Sequence, residues 1–144
     1  MSLENVKSEI GGPFAALVIK DGVPIAEGTN RVLVDQDPTA HAEVVAIRNA
    51  CKALGSFQLD GCVLISSCEP CPMCLGAIYW ARPSKVYFCN TREEAAEIGF
   101  DDDLIYTEIN LDPVERKIPF VPIRFEGAKT AFNAWKEKMD KTQY

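Results

Sequence analysis

The chain has 144 residues, 47% of them hydrophobic, and its 9 Gly and 9 Pro are ordinary usage for a globular protein, so we expect a single domain over residues 1–144. A formal net charge of -6, from 15 Lys and Arg against 21 Asp and Glu, disfavours a nucleic-acid partner. No apolar stretch is long enough to span a membrane and the N-terminus lacks a secretion signal, so we expect a soluble cytoplasmic protein.

The first predicted elements are a β-hairpin and a helix. Residues 14–20 form an apolar, β-rich run, the pair Asp21-Gly22 is a hairpin turn signal, and residues 23–27 pair back as a second strand. The sequence Asp37-Pro38-Thr39 indicates the start of a helix, with Asp37 or Thr39 as its N-cap. Apolar residues then recur at helical spacing until Gly55 ends the helix.

The remaining elements alternate between strands and helices. They are a strand at 62–66, a helix with an apolar body at 73–81, a strand at 85–90, a helix at 93–98, a strand at 121–125, and a last helix that carries Phe132, Trp135 and Met139 on one face. Short connections between such elements indicate parallel pairing. We therefore expect an α/β fold, a three-layer α/β/α sandwich around a mixed five-stranded sheet.

Cysteine usage is the first feature that points to chemistry. Six cysteines without a secretion signal indicate reduced thiols or metal ligands rather than a disulfide framework. Three of them, Cys68, Cys71 and Cys74, are spaced three residues apart, whereas the others lie singly in apolar surroundings typical of buried free thiols. The clustered cysteines are therefore the candidates for a metal site.

Cys71 and Cys74 lie at the start of a predicted helix, where residues three apart share one face and the helix N-terminus favours thiolates. His41, the only histidine, is expected in or near the first turn of the preceding helix and supplies a third ligand. Three protein ligands and one open position are typical of a catalytic zinc, whose bound water ionises near neutral pH. The pattern predicts one Zn²⁺ per subunit.

Glu43 follows His41 by two residues and is the carboxylate available to move protons at such a site. On a regular helix these two side chains point about 200° apart, so they can serve one site only near the N-terminal end of the helix. A second interpretation stays open, in which Cys68 joins the other three ligands in a closed structural site and Glu43 has no task. The protein would then be a zinc-stabilised binding module.

The motifs His41-Ala42-Glu43 and Pro70-Cys71-Pro72-Met73-Cys74 resemble the H-x-E and P-C-x-x-C signature of the cytidine deaminase-like zinc deaminases. Within that superfamily the chain looks like the bacterial guanine deaminases from Gly11 onwards. The stretches that carry this likeness are 37–44, 68–80, 99–102 and Ile105-Tyr106. The resemblance implies the cytidine deaminase-like fold and a reaction in purine catabolism: a zinc-activated water attacks guanine, Glu43 shuttles the protons, and xanthine and ammonia are formed.

The same resemblance implies the contacts of a purine base. Asn30 is expected to hydrogen-bond the base, the Ala42 backbone N–H to hold a ring oxygen or nitrogen, and Asp102 to accept from guanine N–H groups. Phe14 and Trp80 are expected to flank the ring. Simpler interpretations remain for these residues: a turn asparagine, a solvated acid and ordinary core aromatics.

The C-terminus is the last feature on which the resemblance bears. In similar deaminases this segment crosses to a second subunit and closes its site, which implies a domain-swapped homodimer with Tyr144 among the substrate contacts; the alternative is a frayed tail. Deamination of guanosine, cytosine, a nucleoside or adenosine in transfer RNA stays open, although the net charge disfavours the last. Two departures from the family pattern are Ala15, where Gly is usual, and a short segment before Gly11.

Overall fold

The computed structural model describes residues 1–143, which form two compact units, residues 1–103 and the segment from residue 104 onwards. The first unit contains α1 (Ser2–Lys7), β1 (Ala15–Lys20), β2 (Val23–Thr29), α2 (Val32–Asp35), α3 (Ala42–Leu54), β3 (Cys62–Cys68), α4 (Pro72–Ala81), β4 (Lys85–Asn90) and α5 (Arg92–Glu97). Helix α6 (Asp103–Ile109) begins at the last residue of the first unit, and α7 (Thr130–Glu137) belongs to the second unit. None of the helices within residues 1–143 has the length and apolar character needed to cross a membrane.

The first unit is built on a mixed sheet with the strand order β2-β1-β3-β4. Strand β1 pairs antiparallel with both β2 and β3, and only β3 and β4 are parallel neighbours. The predicted hairpin is confirmed: Asp21 and Gly22 both have positive φ, 50° and 78°, as the two central residues of a tight β1–β2 turn require. The α/β class and the mixed sheet are therefore as predicted.

The sheet has four strands within the described residues, not the predicted five. The missing strand is the one expected at 121–125, which has no regular secondary structure. Pro122 has no backbone N–H to donate to a ladder, and Pro119 removes another donor just before the segment. Val121 and Ile123 are exposed, so the apolar pattern there does not correspond to a strand buried within this chain.

The core of the first unit lies between the sheet and α3. Val18 on β1 and Leu64 on β3 are fully buried, and burying a side chain of this size contributes about 1.5–3 kcal/mol. Helix α3 faces the sheet with the small residues Ala42, Ala46 and Ala50, all fully buried. Small side chains let the helix backbone approach the strands closely, which places the start of α3 directly over the sheet.

Gly28 on β2 is part of that close approach. A Cβ atom at this position would overlap the carbonyl oxygen of Ala42 and the backbone nitrogen of Ala46. Only glycine therefore allows the first turn of α3 to lie on β2 as it does. The position of the His41-Ala42-Glu43 motif thus depends on a residue outside it.

Helix α3 begins later than predicted. Its N-cap is His41, in an extended conformation, and neither Asp37 nor Thr39 caps it. The Asp37 carboxylate instead accepts hydrogen bonds from the backbone and hydroxyl of Thr39, at 2.8 and 2.7 Å, which closes a local turn. The short helix α2 precedes that turn. The prediction located the turn correctly, but the Asp37 carboxylate closes this turn before the helix starts and does not cap the helix.

The second unit contains the end of α6, an irregular segment and α7. The Lys117 backbone N–H donates to the Glu108 carboxylate at 2.6 Å, and the Arg116 guanidinium lies 5.1 Å from the centre of the Phe120 ring. The predicted last helix is present, although it ends before Met139. Phe132 and Trp135 on this helix are exposed.

Candidate metal centre

The two sequence motifs lie at the starts of two helices that contact each other. His41 is the N-cap of α3, with φ -68° and ψ 155°, and Cys71 is the N-cap of α4, with φ -62° and ψ 167°. Pro72 takes the first helical position, where its missing N–H and restricted φ are favourable. Because His41 has an extended backbone and lies outside the helix proper, the 200° separation of a regular helix does not apply to it and Glu43.

His41, Cys71 and Cys74 come together although 30 residues separate the first two. The Nδ1 atom of His41 lies 3.5 Å from the sulfur of each cysteine, and the three candidate ligand atoms are all within 4.8 Å of one another. A tetrahedral zinc with ordinary Zn–N and Zn–S bonds requires an N···S separation of about 3.6 Å. The spacing of the donor atoms therefore fits a zinc ion.

Cys68 does not join this group in the described part of the chain. Its thiol is directed to the backbone oxygen of Thr91, at 3.6 Å. The site therefore offers three protein ligands, which leaves one position of a tetrahedral metal open. The arrangement is that of a catalytic site rather than the closed site with Cys68 as a fourth ligand.

Glu43 is 6% exposed and lies beside the cysteines. Its Oε1 accepts a hydrogen bond from the Ser66 hydroxyl at 2.9 Å, and its Oε2 accepts from the Cys74 thiol at 3.4 Å. Within residues 1–143 no Lys or Arg forms an ion pair with it. A buried carboxylate without a cationic partner is costly, and a divalent metal held by the neighbouring ligands would supply the missing positive charge.

The candidate ligand side chains shift one another's pKa. Interaction with the Cys74 side chain, together with His41, lowers the pKa of Cys71 to about 4 although burial opposes this. The pKa of Cys74 is raised by the neighbouring Cys71 sulfur, by burial and by the charge of Glu43, to which its thiol donates. The Cys71 sulfur also raises the pKa of His41. At neutral pH Cys71 is therefore the thiolate of the pair and Cys74 the thiol.

Two of the predicted substrate contacts lie close to these elements. Asn30 follows β2 and is 7% exposed; its Oδ1 accepts from the Val32 backbone, while its Nδ2 has no partner within residues 1–143. Ala42 is fully buried and is the first residue of α3, so its N–H has no acceptor inside the helix. Each therefore offers a donor to a ligand.

The aromatic candidates differ from each other. Phe14 is partly buried and packs edge-on against Phe100, with ring centroids 4.8 Å apart. Trp80 lies on α4 with 64% of its surface exposed. The structure therefore places Phe14 in a packed aromatic pair, and it leaves Trp80 largely open to solvent.

Asp102 is partly buried at the end of the first unit. Burial raises its pKa, and the charge of Cys71 raises it further, which shows that the carboxylate lies within electrostatic range of the ligand cluster. The predicted contact of Tyr144 falls outside the described residues.

Two residues near the site were not identified from the sequence. Ser66 is 2% exposed and contacts Glu43, but on sequence alone it appeared only as the end of a strand. Asn5 on α1 is 3% exposed, and its side-chain amide donates to the backbone oxygens of Gly12 and Asn30 at 2.8 and 3.0 Å. A polar residue that is buried by contacts across 25 residues leaves no local pattern to detect.

The comparisons with known proteins agree with this geometry. Residues 2–90 match the family described as the cytidine and deoxycytidylate deaminase zinc-binding region. Over all 144 residues the chain is 54% identical to guanine deaminase from Bacillus subtilis, of which the match covers 92%. The X-ray structure of that enzyme superposes with a TM-score of 0.96, over 99% of this chain and 91% of that one.

More distant relatives match part of the chain. The structure of NE0047 in complex with 2,6-diaminopurine has a TM-score of 0.67 at 36% identity, over 70% of this chain and 57% of that one. The tRNA-specific adenosine deaminase of Bacillus subtilis is 43% identical over 76 residues, 53% of this chain and 47% of that protein. With the zinc-binding region matched across both motifs, the chain belongs to the cytidine and deoxycytidylate deaminase family of zinc-binding proteins.

Proposed function

We propose that the protein is a guanine deaminase that uses zinc to convert guanine and water to xanthine and ammonia. The observation that carries this proposal is the group formed by His41, Cys71, Cys74 and the buried Glu43, in a chain 54% identical along its whole length to a guanine deaminase. The group contains the three ligands of a catalytic zinc and the proton-transferring carboxylate of this enzyme class.

His41 Nδ1 and the two sulfurs would hold one zinc ion per subunit. Zinc in such a site lowers the pKa of water to about 7 and so supplies a nucleophile at neutral pH. The chain's own contribution is to fix three ligands from two helix N-termini and to leave the fourth position open. Cys74 is fully buried, which limits the access of bulk water to that side of the site.

Glu43 would carry the protons of the reaction. Its carboxylate takes one proton from the attacking water and passes it to the ring nitrogen, and then takes the second proton from the newly bonded hydroxyl and passes it to the leaving amino group. A C–O bond forms and the exocyclic C–N bond breaks, so guanine and water become xanthine and ammonia. The support for this role is the burial of Glu43 and the direction of its Oε2 towards Cys74, 3.4 Å away.

Guanine would be recognised through its edge and its flat face. The Nδ2 of Asn30 and the N–H of Ala42, which have no partner within residues 1–143, would donate to the ring oxygen and nitrogen, and Asp102 would accept from guanine N–H groups. Phe14 and Trp80 would flank the ring. A neutral purine with several donors and acceptors suits this set of groups.

The proposed assembly is a homodimer in which the C-terminal segment crosses to the partner. Support comes from Phe132 and Trp135, two large apolar side chains on α7 that are exposed within the described residues and that a second subunit would cover. Tyr144, at the end of this segment, would then contact the base in the partner's site. We place the enzyme in the cytoplasm, in purine catabolism and without a nucleic-acid partner.

The proposal is tested with the zinc-loaded protein and a panel of bases. Guanine, guanosine, adenine, cytosine and cytidine are each incubated with enzyme, while ultraviolet spectra and released ammonia are followed. Conversion of guanine to xanthine, with the other compounds slower, is the expected result. Faster turnover of a nucleoside or of cytosine than of guanine would contradict the substrate assignment, and inactivity on all five would contradict a small-molecule deaminase altogether.

A further inference from the structure

We propose that Ser66 is a positioning residue that holds Glu43 in its working orientation. This inference rests on the proposed function, because it concerns the carboxylate that moves the protons. It assigns a separate task to each oxygen of Glu43: Oε1 is the anchored atom, and Oε2 is the atom that exchanges protons.

Ser66 lies on β3 and is 2% exposed. A hydroxyl has one hydrogen to donate, and the Ser66 hydroxyl donates it to Oε1 of Glu43 at 2.9 Å. Its oxygen also accepts from the backbone N–H of Cys68, at 3.4 Å. The hydroxyl is therefore fixed from its own strand and directed at the helix.

The only other side chain that donates to Glu43 within residues 1–143 is Cys74, whose thiol points to Oε2. That contact needs the thiol hydrogen. A cysteine binds a metal as the thiolate, so the contact is lost when Cys74 becomes a ligand. In the metal-loaded protein Ser66 then remains as the side-chain donor to this carboxylate.

Orientation matters because Glu43 has no ion pair to restrain it in the described part of the chain. Its side chain has three rotatable bonds, and proton transfer requires a carboxylate oxygen within hydrogen-bond reach of the reacting group. With Oε1 bound to β3, Oε2 is left facing the ligand side of the site. The hydrogen bond from Ser66 on β3 thus fixes the orientation of the buried Glu43 carboxylate.

Ser67 provides a matched control on the same strand. Its hydroxyl accepts from the backbone N–H of Ala15 at 3.0 Å, so it joins β3 to the neighbouring chain segment. Strand geometry directs successive side chains to opposite faces, and no hydrogen bond joins Ser67 to Glu43 within residues 1–143. Removing the Ser67 hydroxyl perturbs β3 but leaves the hydrogen bond from Ser66 to Glu43 in place.

The experiment compares kcat, KM, zinc content and thermal unfolding in the wild type and four variants: Ser66→Ala, Ser66→Thr, Ser66→Val and Ser67→Ala. Thr and Val have nearly the same shape and differ in the hydroxyl, so this pair remains informative if Ser66→Ala folds poorly. Guanine is the substrate, and the panel of bases is run on the wild type in the same series.

We expect Ser66→Ala and Ser66→Val to lower kcat by about 10–100-fold, the usual effect of losing an outer-shell partner, with zinc content and KM little changed. Ser66→Thr should recover most of the loss, and Ser67→Ala should resemble the wild type in kcat. Equal kcat for the Thr and Val variants would overturn the inference, as would a loss that follows zinc content. Inactivity of the wild type on every base would instead overturn the proposed function and this role with it.

Discussion

The Nδ1 atom of His41 lies 3.5 Å from the sulfur of Cys74, across 33 residues of chain. Two helices with unrelated N-terminal sequences bring these atoms together, because α3 lies on the hairpin and α4 follows the central strand β3. The ligand geometry is therefore a property of how two helix starts are supported by one sheet.

Replacing Gly28 with alanine should displace the first turn of α3, because the new Cβ would overlap the Ala42 carbonyl oxygen. Overpacking of this kind lowers the free energy of unfolding by about 1–3 kcal/mol. Zinc affinity should fall as well, because His41 caps the displaced turn. Denaturant unfolding and zinc titration with a chromogenic chelator measure the two effects.

The matched control is Gly76→Ala on α4, where an added Cβ meets no atom within 4 Å. Alanine in a helix interior is favoured over glycine by about 0.5–1 kcal/mol, so this variant should be as stable as the wild type or more so. If Gly28→Ala behaved like Gly76→Ala, the close approach of helix and strand would have no energetic role.

Zinc binding should release protons, in a number that depends on pH. Ligation needs two thiolates and a neutral imidazole. Cys71, with a pKa of about 4, is already deprotonated at neutral pH, whereas Cys74, whose pKa is raised, must lose its proton. The pKa of His41 is also raised, so below that pKa a second proton must leave.

Counting the protein ligands alone, the release should therefore rise from about one proton per zinc at alkaline pH towards two as the pH falls through the pKa of His41. Ionisation of a zinc-bound water, with a pKa of about 7, adds to this number only on the alkaline side. Zinc affinity should weaken in the same direction. Calorimetric titration in buffers of different ionisation enthalpy counts these protons. A release below one proton per zinc at neutral pH, or one that does not approach two below the pKa of His41, would contradict the protonation states described for the site.

Cys68 separates the catalytic from the structural interpretation of the cysteines. The structure directs its thiol to the Thr91 backbone, so Cys68→Ala should keep both zinc and activity. Cys74→Ala removes a ligand and should lose both. Zinc content by atomic absorption, measured alongside guanine turnover, distinguishes the two variants; zinc loss in Cys68→Ala would indicate a four-ligand structural site.

Asn5 should influence substrate binding from outside the pocket. Its amide satisfies the backbone oxygens of Gly12 and Asn30, and leaving buried acceptors unpaired costs about 1–3 kcal/mol. Asn5→Ala should therefore lower stability and raise KM for guanine, because Asn30 loses its support. Asn49→Ala, which removes an exposed hydrogen bond to the Glu27 backbone, serves as the control and should leave KM unchanged.

The proposed lid is tested by shortening the chain. A variant that lacks residues 141–144 should bind zinc normally and turn over guanine more slowly, because Tyr144 would no longer close the partner's site. Mixing this variant with Glu43→Gln chains should restore part of the activity if the tail acts across the dimer. Full activity of the shortened protein would rule out the lid.

Sequence motifs predicted the candidate metal ligands better than they predicted the helices and strands that hold them. The cysteine spacing and the single histidine identified three residues that the structure does bring together, since short motifs at helix starts place ligands by local geometry. Helix α3 starts later than predicted, because the Asp37 carboxylate accepts a hydrogen bond from Thr39 and does not cap the helix. The prediction of a fifth strand at 121–125 was wrong, because the apolar residues around Pro122 have no pairing partner in the described chain.

Ser66 and Asn5 could not be found in the same way. Their hydrogen bonds reach 23 and 25 residues along the chain, and each depends on the packing of a helix against a strand or loop. No periodicity or spacing rule reports such a pairing. The residues that orient the site are thus visible only in the folded protein.

The most direct test of the account is to measure guanine turnover and bound zinc together in the wild type and in Glu43→Gln. General acid–base catalysis contributes about 10²–10⁴-fold, so the variant should retain its zinc and lose turnover by about that factor. Wild-type turnover in Glu43→Gln with zinc bound would contradict the assignment of Glu43 as the group that moves the protons.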